Sequence, residues 1–518
     1  MPVKLLQLLP ELILILTGCG LLLLGIASNE KLRRCVPAVA LGAVIAACAA
    51  LVLTPSEFGS IGGGLRVDSS SEFVRNTTLI MAVLLILVGW TQPSLSERGE
   101  YFAMMLFSLA GLMLTSLSDN LIMLFLSLEL VSIPTYVLVT LSRTSSRSLE
   151  AGTKYFYLGA MSAAIMAFGM SYLYGATGSA SMNTIDVSIA AALDPEHPAF
   201  ALAAIGLVLT LAGLMFKIAA VPMHFYIADV YQGAAGPVAG FLGFVPKLAG
   251  FVAIFKIISL TEWAPSDAMF WTLWIVAVVT MTVGNVLALM QTNVRRMLAY
   301  SGIAHSGYML VAILAGPGDV SETGGFRDGF AAVLYYSVIY GIANLAAFAV
   351  LSLLRVRGRP AETLRDLAGL LRRNPGPALL MALAMFTLMG LPPTPGFWGK
   401  MSLFGSALSA APGTAYPAWM IALVVIALVN SAVAAAYYLR VIAACLLYES
   451  DRPATTAPRE LLRMGAAACG FLLLIFAFAP GILLKAGRDA TRTYRERSVV
   501  LRSDAAAEAE LVDATKTE

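Results

Sequence analysis

The residues in this sequence that offer chemistry are lysines, placed where a charge is costly. Lys217, Lys247 and Lys400 lie inside long apolar stretches, and Glu129 lies inside another. A cationic side chain at the centre of a helix in lipid costs about 2.5–3.5 kcal/mol on insertion scales, and ionisable residues at that depth are usually functional. Burial also disfavours the charged form of a lysine, which lets it release a proton more readily. These residues therefore predict proton transfer within a membrane.

Other ionisable residues extend this prediction. His305 lies mid-stretch beside two serines and a tyrosine, and histidine titrates near physiological pH, so it suits a relay between lysines. His224 is a second relay candidate, although a lone histidine on an apolar face is more often a core residue. Lys154 begins an apolar stretch, where a lysine either transfers protons or anchors the helix at the interface. Lys256, near the end of another stretch, is expected to be an interface anchor. Asp229 is expected to pair with a lysine or to cap a helix.

The composition places the chain in a membrane. It has 518 residues, of which 59% are hydrophobic and 13% charged, whereas soluble domains carry about 25% charged residues. The apolar runs lack alternation with a period of two and therefore predict helices. We number as spans 1 to 14 the runs at 5–27, 34–53, 76–92, 101–118, 120–141, 154–175, 199–234, 236–259, 268–290, 295–316, 326–354, 376–410, 418–448 and 460–484.

Positive charge orients these spans. Connections after odd-numbered spans hold 17 lysines and arginines, whereas the N-terminus and the other connections hold four, namely Lys4, Arg66, Arg75 and Arg327. The positive-inside rule then predicts a cytoplasmic location for the first group and an N-terminus on the outer face. The basic segment from Lys485 onward opposes this rule if the number of spans is even.

Two spans are too long for one straight helix. Span 7 contains Pro222, and span 12 contains Pro392, Pro393 and Pro395, so both helices are expected to break there. Paired broken spans point to a site between repeats of a transporter fold. Their offset of five spans predicts two inverted repeats, spans 4–8 and 9–13. The predicted division is 1–100 for three N-terminal spans, 101–260 and 261–450 for the repeats, 451–485 for the final span and 486–518 for a charged tail.

Sites of other kinds are not indicated. The five cysteines are scattered singly, without a Cys/His cluster, so a zinc or iron–sulfur centre is not expected. No glycine-rich phosphate-binding loop appears. We therefore expect no cofactor and no metal in this chain, and no nucleic-acid partner.

Three stretches carry a resemblance to a known family. They are FKIAAVPMHFYIADVYQGAAGPVAGFLGFVPKLAGF, QTNVRRMLAYSGIAHSGYMLVAI and MGLPPTPGFWGKMSLF. Together they resemble the antiporter-like membrane subunits of respiratory complex I, over about residues 100–450. The DVYQG wording and the lysine in span 12 are most similar to the N-type branch, because the M-type branch has a glutamate there. The chain also ends soon after span 14, without the long lateral helix of the L-type branch.

The resemblance implies proton translocation driven by quinone reduction in other subunits. It implies that the glutamate of helix 5 pairs with the lysine of helix 7, and that lysines of helices 6, 8 and 12 and the region of His305 form a hydrated axis. The matching residues are Glu129, Lys217, Lys154, Lys247 and Lys400. The implied partners are the M-type and the small K-, J- and A-type subunits in a bacterial inner membrane, with NAD, FMN, iron–sulfur clusters and quinone held elsewhere in the complex.

Alternative functions remain open from the residues. A subunit of a Mrp-type cation/proton antiporter or of a membrane-bound hydrogenase shares this architecture. A stand-alone solute transporter is a reading of another class, although the charges form a line across many helices rather than one pocket. A purely structural scaffold leaves the buried lysines unexplained.

Overall fold

The fold is an assembly of membrane-spanning helices. The computed structural model describes residues 6–27, 29–54, 58–143, 145–194, 196–261, 267–318, 327–449 and 454–494. Within these ranges, thirteen helices are long and apolar enough to cross a membrane. Span 12 adds a fourteenth as two shorter helices, which confirms the predicted all-α polytopic fold. Lys4 and most of the charged tail lie outside the described residues.

The helices that form the spans follow the predicted order. They are Leu9–Ile26, Glu30–Leu53, Ser69–Gly89, Arg98–Leu117, Leu121–Leu141, Ser146–Thr177, Phe200–Lys217 with Ile227–Gly233, Gly236–Ser259, Asp267–Leu289, Val294–Ala315, Gly329–Leu353, Pro375–Met389 with Pro395–Ala410, Pro417–Leu446 and Glu460–Phe478. Shorter helices lie at Met182–Ala192, Leu364–Leu367, Leu370–Arg373, Ala411–Gly413 and Pro480–Ala490.

Three span boundaries differ from the prediction by six residues or more, each because of local capping or a proline. Span 3 begins seven residues early, at Ser69, because Asp68 accepts a hydrogen bond from the Ser71 amide at 2.7 Å and caps the helix. Span 6 begins at Ser146 after its cap Ser145, so Lys154 lies inside the helix and not at its start. Span 14 ends at Phe478, and Pro480 starts a separate short helix.

Two small sheets join connections outside the spans. Gly59–Gly62 and Leu65–Val67 pair antiparallel after span 2. Leu354–Val356 lies between Arg359–Pro360 and Thr455–Thr456, and so links the connections after spans 11 and 13. The spans ending at these connections are thereby held together at their ends.

One face of the molecule gathers the basic connections. Arg143, after span 5, lies 3.3 Å from Glu362, and Arg295, at the start of span 10, lies 3.9 Å from the same carboxylate. Glu362 belongs to the connection after span 11. We call this side the basic face, because it carries the connections after odd-numbered spans, which hold most of the lysines and arginines outside the spans.

The opposite face carries the remaining connections. Arg66, after span 2, pairs with Asp119, after span 4, at 3.3 Å. The Thr491 hydroxyl, after span 14, donates to Asp328 at the start of span 11, at 2.5 Å. Residues after span 14 thus lie beside the start of an odd-numbered span, as an even number of spans requires.

The centre of the assembly is formed by spans 8, 10 and 11. Spans 8 and 11 are buried along their whole length, and span 10 nearly so. Because protein surrounds them on all sides, polar side chains on these helices meet other side chains and not lipid. Lys247 and His305 lie on these spans.

The broken spans satisfy their freed backbone groups within the protein. In span 7, the Phe216 carbonyl accepts from the Tyr226 hydroxyl at 2.8 Å, and the Ile218 carbonyl accepts from Ser306 at 2.6 Å. In span 12, the Met389 carbonyl accepts from Lys400 at 2.8 Å. Such partners are required for an interrupted helix at membrane depth. Both predicted breaks are confirmed.

Candidate functional site

An ion pair joins spans 5 and 7. Lys217 is the last residue of the first half-helix of span 7, and its Nζ lies 2.9 Å from Glu129 Oε1. The same Nζ donates to the Ser132 hydroxyl at 2.6 Å. The Lys217 side chain is 3% exposed and that of Glu129 is 16% exposed. A charge pair so shielded from solvent is sensitive to any change in either partner.

A small cavity lies between Lys217 and Lys247. Its volume is about 10 Å³, close to the minimum that holds one water molecule. Tyrosines from spans 6 and 7 complete its wall together with Pro246. The lining residues are Tyr155, Lys217, Tyr226, Ile227, Val230, Tyr231, Leu242, Pro246 and Lys247. Lys217 and Lys247 therefore share one space.

Lys247 is held by groups of the second repeat. Its Nζ donates to the Gly302 carbonyl and, at 3.2 Å, to the Ser306 hydroxyl. The same Nζ lies 4.9 Å from the centre of the Tyr340 ring, a distance at which a cation is attracted to the ring face. The amine thus faces span 10, which carries His305 one turn further along the helix.

His305 lies in a cage of tyrosines. Its Nε2 lies 2.8 Å from the Tyr438 hydroxyl, and its Nδ1 lies 2.7 Å from the Tyr336 hydroxyl. Tyr438 is also hydrogen-bonded to Ser301. Both ring nitrogens therefore have a hydroxyl partner that can pass a proton, since a hydroxyl both donates and accepts. Spans 10, 11 and 13 together form this cage.

Lys400 closes the series at the break of span 12. Its Nζ donates to the Met389 carbonyl and to the Ser431 hydroxyl, each at 2.8 Å. The Met389 carbonyl belongs to the end of the preceding half-helix, where a cation is favourable. Gly396 allows the two halves to approach, because a Cβ there would lie 1.7 Å from the Thr387 carbonyl oxygen.

The structure places two of the predicted residues apart from this series. Lys154 lies on the basic face, where it pairs with Glu150 at 2.6 Å and with Asp229 at 2.9 Å, and its side chain is 44% exposed. His224 is buried in the break of span 7, and its ring contacts Phe225. Its Nδ1 has no hydrogen-bond partner among the described residues.

Sequence reasoning missed several partners. Ser132, Ser306, Tyr336, Ser431 and Tyr438 supply hydroxyls to the charged residues. The sequence could have indicated Ser132, because it lies three residues from Glu129 and thus on the same helix face. The tyrosines come from other spans, and only the packing of the helices brings them to His305.

Lys256 was expected to be an interface anchor, but it is buried. It is 6% exposed, and its Nζ donates to the Ser118 carbonyl at 2.6 Å. Its position near the end of span 8 suggested exposure, yet spans 4 and 5 meet beside it. Arg75 likewise lies within span 3 and not in a connection, and forms a buried ion pair with Glu11 at 2.7 Å.

The contacts support proton transfer more than other chemistry. Three buried amines, one buried imidazole and one largely shielded carboxylate follow one another across spans 5, 7, 8, 10 and 12, with hydroxyls beside them. In the described part of the chain, no group of three or more His, Cys, Asp or Glu side chains is placed to hold a metal ion.

Comparison with known sequences gives a consistent result. A family model described as NADH:quinone oxidoreductase/Mrp antiporter, TM, matches residues 118–429. The NADH-quinone oxidoreductase subunit N of Trichlorobacter lovleyi is 37% identical over 492 residues, which cover 93% of this chain and 96% of the relative. A subunit N 1 of Rhizobium meliloti is 35% identical over 489 residues, with 94% and 97% covered.

Comparison with solved structures places the same architecture in several assemblies. A chain of respiratory complex I from Thermus thermophilus with bound Aureothin is 34% identical with a TM-score of 0.74, covering 92% of this chain and 98% of that one. A chain of the archaeal membrane-bound sulfane sulfur reductase has a TM-score of 0.81 at 20% identity, with 96% and 98% covered. A chain of the Mrp complex from Dietzia has a TM-score of 0.76 at 21% identity, with 96% and 98% covered. The last two share the fold.

Proposed function

The chain belongs to the NADH:quinone oxidoreductase/Mrp antiporter membrane family, and from this premise we propose that it translocates protons along its buried charged residues. It is an N-type membrane subunit of NADH:quinone oxidoreductase. The redox chemistry belongs to other subunits of the complex. The residues to which we assign the route are Glu129, Lys217, Lys247, His305 and Lys400.

One observation carries this assignment. Lys217 contacts Glu129 on one side and shares a cavity with Lys247 on the other. Lys247 then bonds to Ser306, one residue from His305, and the His305 cage adjoins Tyr308, over whose ring Lys400 lies at 5.2 Å. Successive members of the series are therefore joined by a direct contact, a shared cavity or an intervening side chain.

The mechanism follows from the ion pair. Quinone reduction elsewhere sends an electrostatic change along the membrane arm, which weakens the pairing of Glu129 with Lys217. A unit charge pair at about 4 Å is worth about 4 kcal/mol at an effective dielectric of about 20, so losing the partner strongly lowers the proton affinity of the lysine. The proton then passes from Lys217 to Lys247, through His305, and on to Lys400.

Lys154 and His224 take flanking positions in this proposal. Lys154 lies on the basic face and would collect protons near the opening of the route, where Asp229 holds it. His224 lies in the break of span 7, next to the segment that carries Lys217. Their roles are secondary, because their contacts are with residues outside the central series.

The surroundings of the chain follow from the same assignment. The basic face is proposed to be cytoplasmic and the N-terminus to lie on the outer face of a bacterial inner membrane. Residues 101–260 and 261–450 are proposed to act as the two inverted repeats. M-type and small K-, J- and A-type subunits are the proposed neighbours, and NAD, FMN, iron–sulfur clusters and quinone are assigned to partner subunits.

Two other functions are less well supported. A Mrp-type antiporter or membrane-bound hydrogenase subunit has weaker support, because the chain of the Mrp complex is 21% identical to this one, against 37% for a subunit N. A stand-alone solute transporter would require activity without partners. Purification of the native chain distinguishes these functions. Co-purifying quinone-reductase subunits would support the NADH:quinone oxidoreductase assignment and neither alternative.

The test compares buried lysines within the intact complex. Lys217→Ala and Lys247→Ala are expected to lower the number of protons moved per NADH oxidised in sealed membrane vesicles. Lys256→Ala serves as the matched control, because Lys256 is an equally buried lysine away from the series. An unchanged proton-to-electron ratio in both Lys217→Ala and Lys247→Ala would refute the proposal.

A further inference from the structure

Asn344, in the middle of the fully buried span 11, is an unpaired polar residue. It is 1% exposed, and neither its amide oxygen nor its amide nitrogen has a hydrogen-bond partner among the described residues. Buried polar side chains in proteins almost always have such partners, and the exceptions call for an explanation. A leucine of similar size would avoid this loss of hydrogen bonding altogether.

Asn285 shows what a satisfied buried asparagine looks like in the same molecule. It is 0% exposed, and its amide nitrogen donates to the Tyr308 hydroxyl at 2.9 Å and to Asn430. Its amide oxygen accepts from the Tyr437 hydroxyl at 3.0 Å. Asn285 thus stabilises the contact between spans 9, 10 and 13, a task that the amide of Asn344 does not perform.

The Asn344 amide lies beside the turn of span 8 that precedes Lys247. A Cβ added to Gly243 would lie 1.9 Å from Asn344 Nδ2. Gly243 is one helical turn from Lys247 and therefore on the same face of span 8. Tyr340, one turn from Asn344 in span 11, lies under the Lys247 amine. Asn344 is thus close to Lys247 on its basic-face side.

Two unpaired hydroxyls flank Asn344. The Tyr340 and Tyr231 hydroxyls are buried, and neither has a hydrogen-bond partner among the described residues. Tyr231 lines the cavity shared by Lys217 and Lys247, and its ring lies 5.7 Å from Phe348, one turn beyond Asn344. The unpaired polar atoms of Tyr231, Asn344 and Tyr340 therefore lie along one face of span 11, between the cavity wall and Lys247.

Such a series suits water. A buried water bonds to about three polar groups that lack other partners, and an asparagine amide offers two donors and an acceptor with two lone pairs. We propose that Asn344 is a positioning residue that holds a water molecule beside Lys247. The proton from Lys217 crosses this water to reach the neutral Lys247 amine. Asn344 itself neither gains nor loses a proton, and the inference rests on the proposed proton route.

The test replaces the two asparagines in the assembled complex. Asn344→Leu is expected to lower the proton-to-electron ratio to the level of Lys247→Ala, while the midpoint of thermal unfolding stays the same or rises. Asn285→Leu is expected to lower that midpoint, because it leaves Tyr308 and Tyr437 without their partner. Asn344→Ser, which keeps a polar group, is expected to recover most of the lost ratio.

The outcomes separate this inference from the function on which it rests. A normal ratio in both Lys217→Ala and Lys247→Ala overturns the proposed route itself. A lowered ratio in Lys247→Ala with a normal ratio in Asn344→Leu overturns only the role of Asn344. An Asn344→Leu complex that unfolds as early as Asn285→Leu also overturns it, because the asparagine is then a structural residue.

Discussion

Arg296 donates from Nη1 to Asp229 Oδ1 at 2.7 Å and so joins the second repeat to the broken span of the first. Asp229 lies in the half-helix Ile227–Gly233, whose neighbouring face lines the cavity between Lys217 and Lys247. The adjacent Arg295 donates to the Ala234 carbonyl at 2.9 Å, just after the same half-helix. Arg295 thus binds at the C-terminal end of this half-helix, where positive charge is favourable, and Arg296 pairs with Asp229 in its first turn.

Asp229→Asn is expected to loosen that half-helix. The change removes the charge that pairs with both Lys154 and Arg296. Because these side chains are partly exposed, the loss in unfolding free energy should be only about 1 kcal/mol. Hydrogen exchange of the amides of residues 227–233 should accelerate, as measured by mass spectrometry. Glu150→Gln is the control, since Glu150 also pairs with Lys154 but not with Arg296, and equal acceleration in both variants contradicts the prediction.

Glu129→Gln is expected to uncouple proton translocation from electron transfer. Glutamine keeps a hydrogen-bond acceptor for Lys217 but removes the negative charge that stabilises its ammonium. NADH oxidation should continue while fewer protons are moved per electron. The measurement is proton uptake by vesicles alongside NADH absorbance, with Glu129→Asp expected to retain more coupling. A wild-type ratio for Glu129→Gln would show that the charge is dispensable.

The buried pair of Glu11 and Arg75 predicts a change in stability without a change in stoichiometry. Arg75 donates to both Glu11 oxygens, at 2.7 and 3.0 Å, and to the Gln7 carbonyl, at 2.6 Å. Glu11→Gln leaves a buried charge uncompensated, which should reduce the unfolding free energy by about 3–5 kcal/mol. Assembled complexes should keep their proton-to-electron ratio.

The double variant Glu11→Leu with Arg75→Met provides the control for this pair. Replacing both charges by apolar side chains is often neutral or stabilising, so the double variant should be more stable than Glu11→Gln. Denaturation in detergent followed by tryptophan fluorescence compares them. Equal loss of stability in single and double variants would mean that packing, and not charge, holds spans 1 and 3 together.

The connection after span 11 is expected to depend on pH through Asp366. Burial raises the pKa of this carboxyl, but hydrogen bonds from the Thr363 and Glu362 amides and the Thr363 hydroxyl outweigh burial, and the pKa lies below its ordinary value of 3.8. A lowered folded-state pKa stabilises the fold above the unfolded-state pKa, and this contribution disappears as pH falls through the lowered value. Hydrogen exchange in residues 362–367 should therefore show an extra loss of protection below about pH 4.

Asp366→Asn tests the origin of that pH dependence. The amide side chain does not titrate, so the variant should lack the extra loss of protection in acid. Protection at neutral pH should also be lower than in the wild type, because the capping of Thr363 by the carboxylate is lost. An identical acid response in both proteins would assign the effect to another group.

The sequence predicted the parts of the site that depend on local pattern. Apolar runs and prolines determined the spans and both breaks, and the resemblance to the complex I subunits implied the contact of Glu129 with Lys217. The cage around His305 was not predictable, because Tyr336 and Tyr438 come from distant spans whose packing no local pattern specifies. Lys256 was misjudged for the same reason, since it packs against the connection between spans 4 and 5, where the Ser118 carbonyl accepts its hydrogen bond.

The contacts of Lys247 show whether the two halves of the chain could function separately. Lys247 belongs to the first half of the chain, but Gly302, Ser306 and Tyr340, which surround its amine, all belong to the second. A gene fragment that ends after span 8 would encode the lysine and the cavity beside it, but would omit Gly302, Ser306 and Tyr340, which contact its amine. The two halves therefore depend on each other for this function. Neither half could be exchanged for the corresponding half of a distant relative without redesigning the contacts between them.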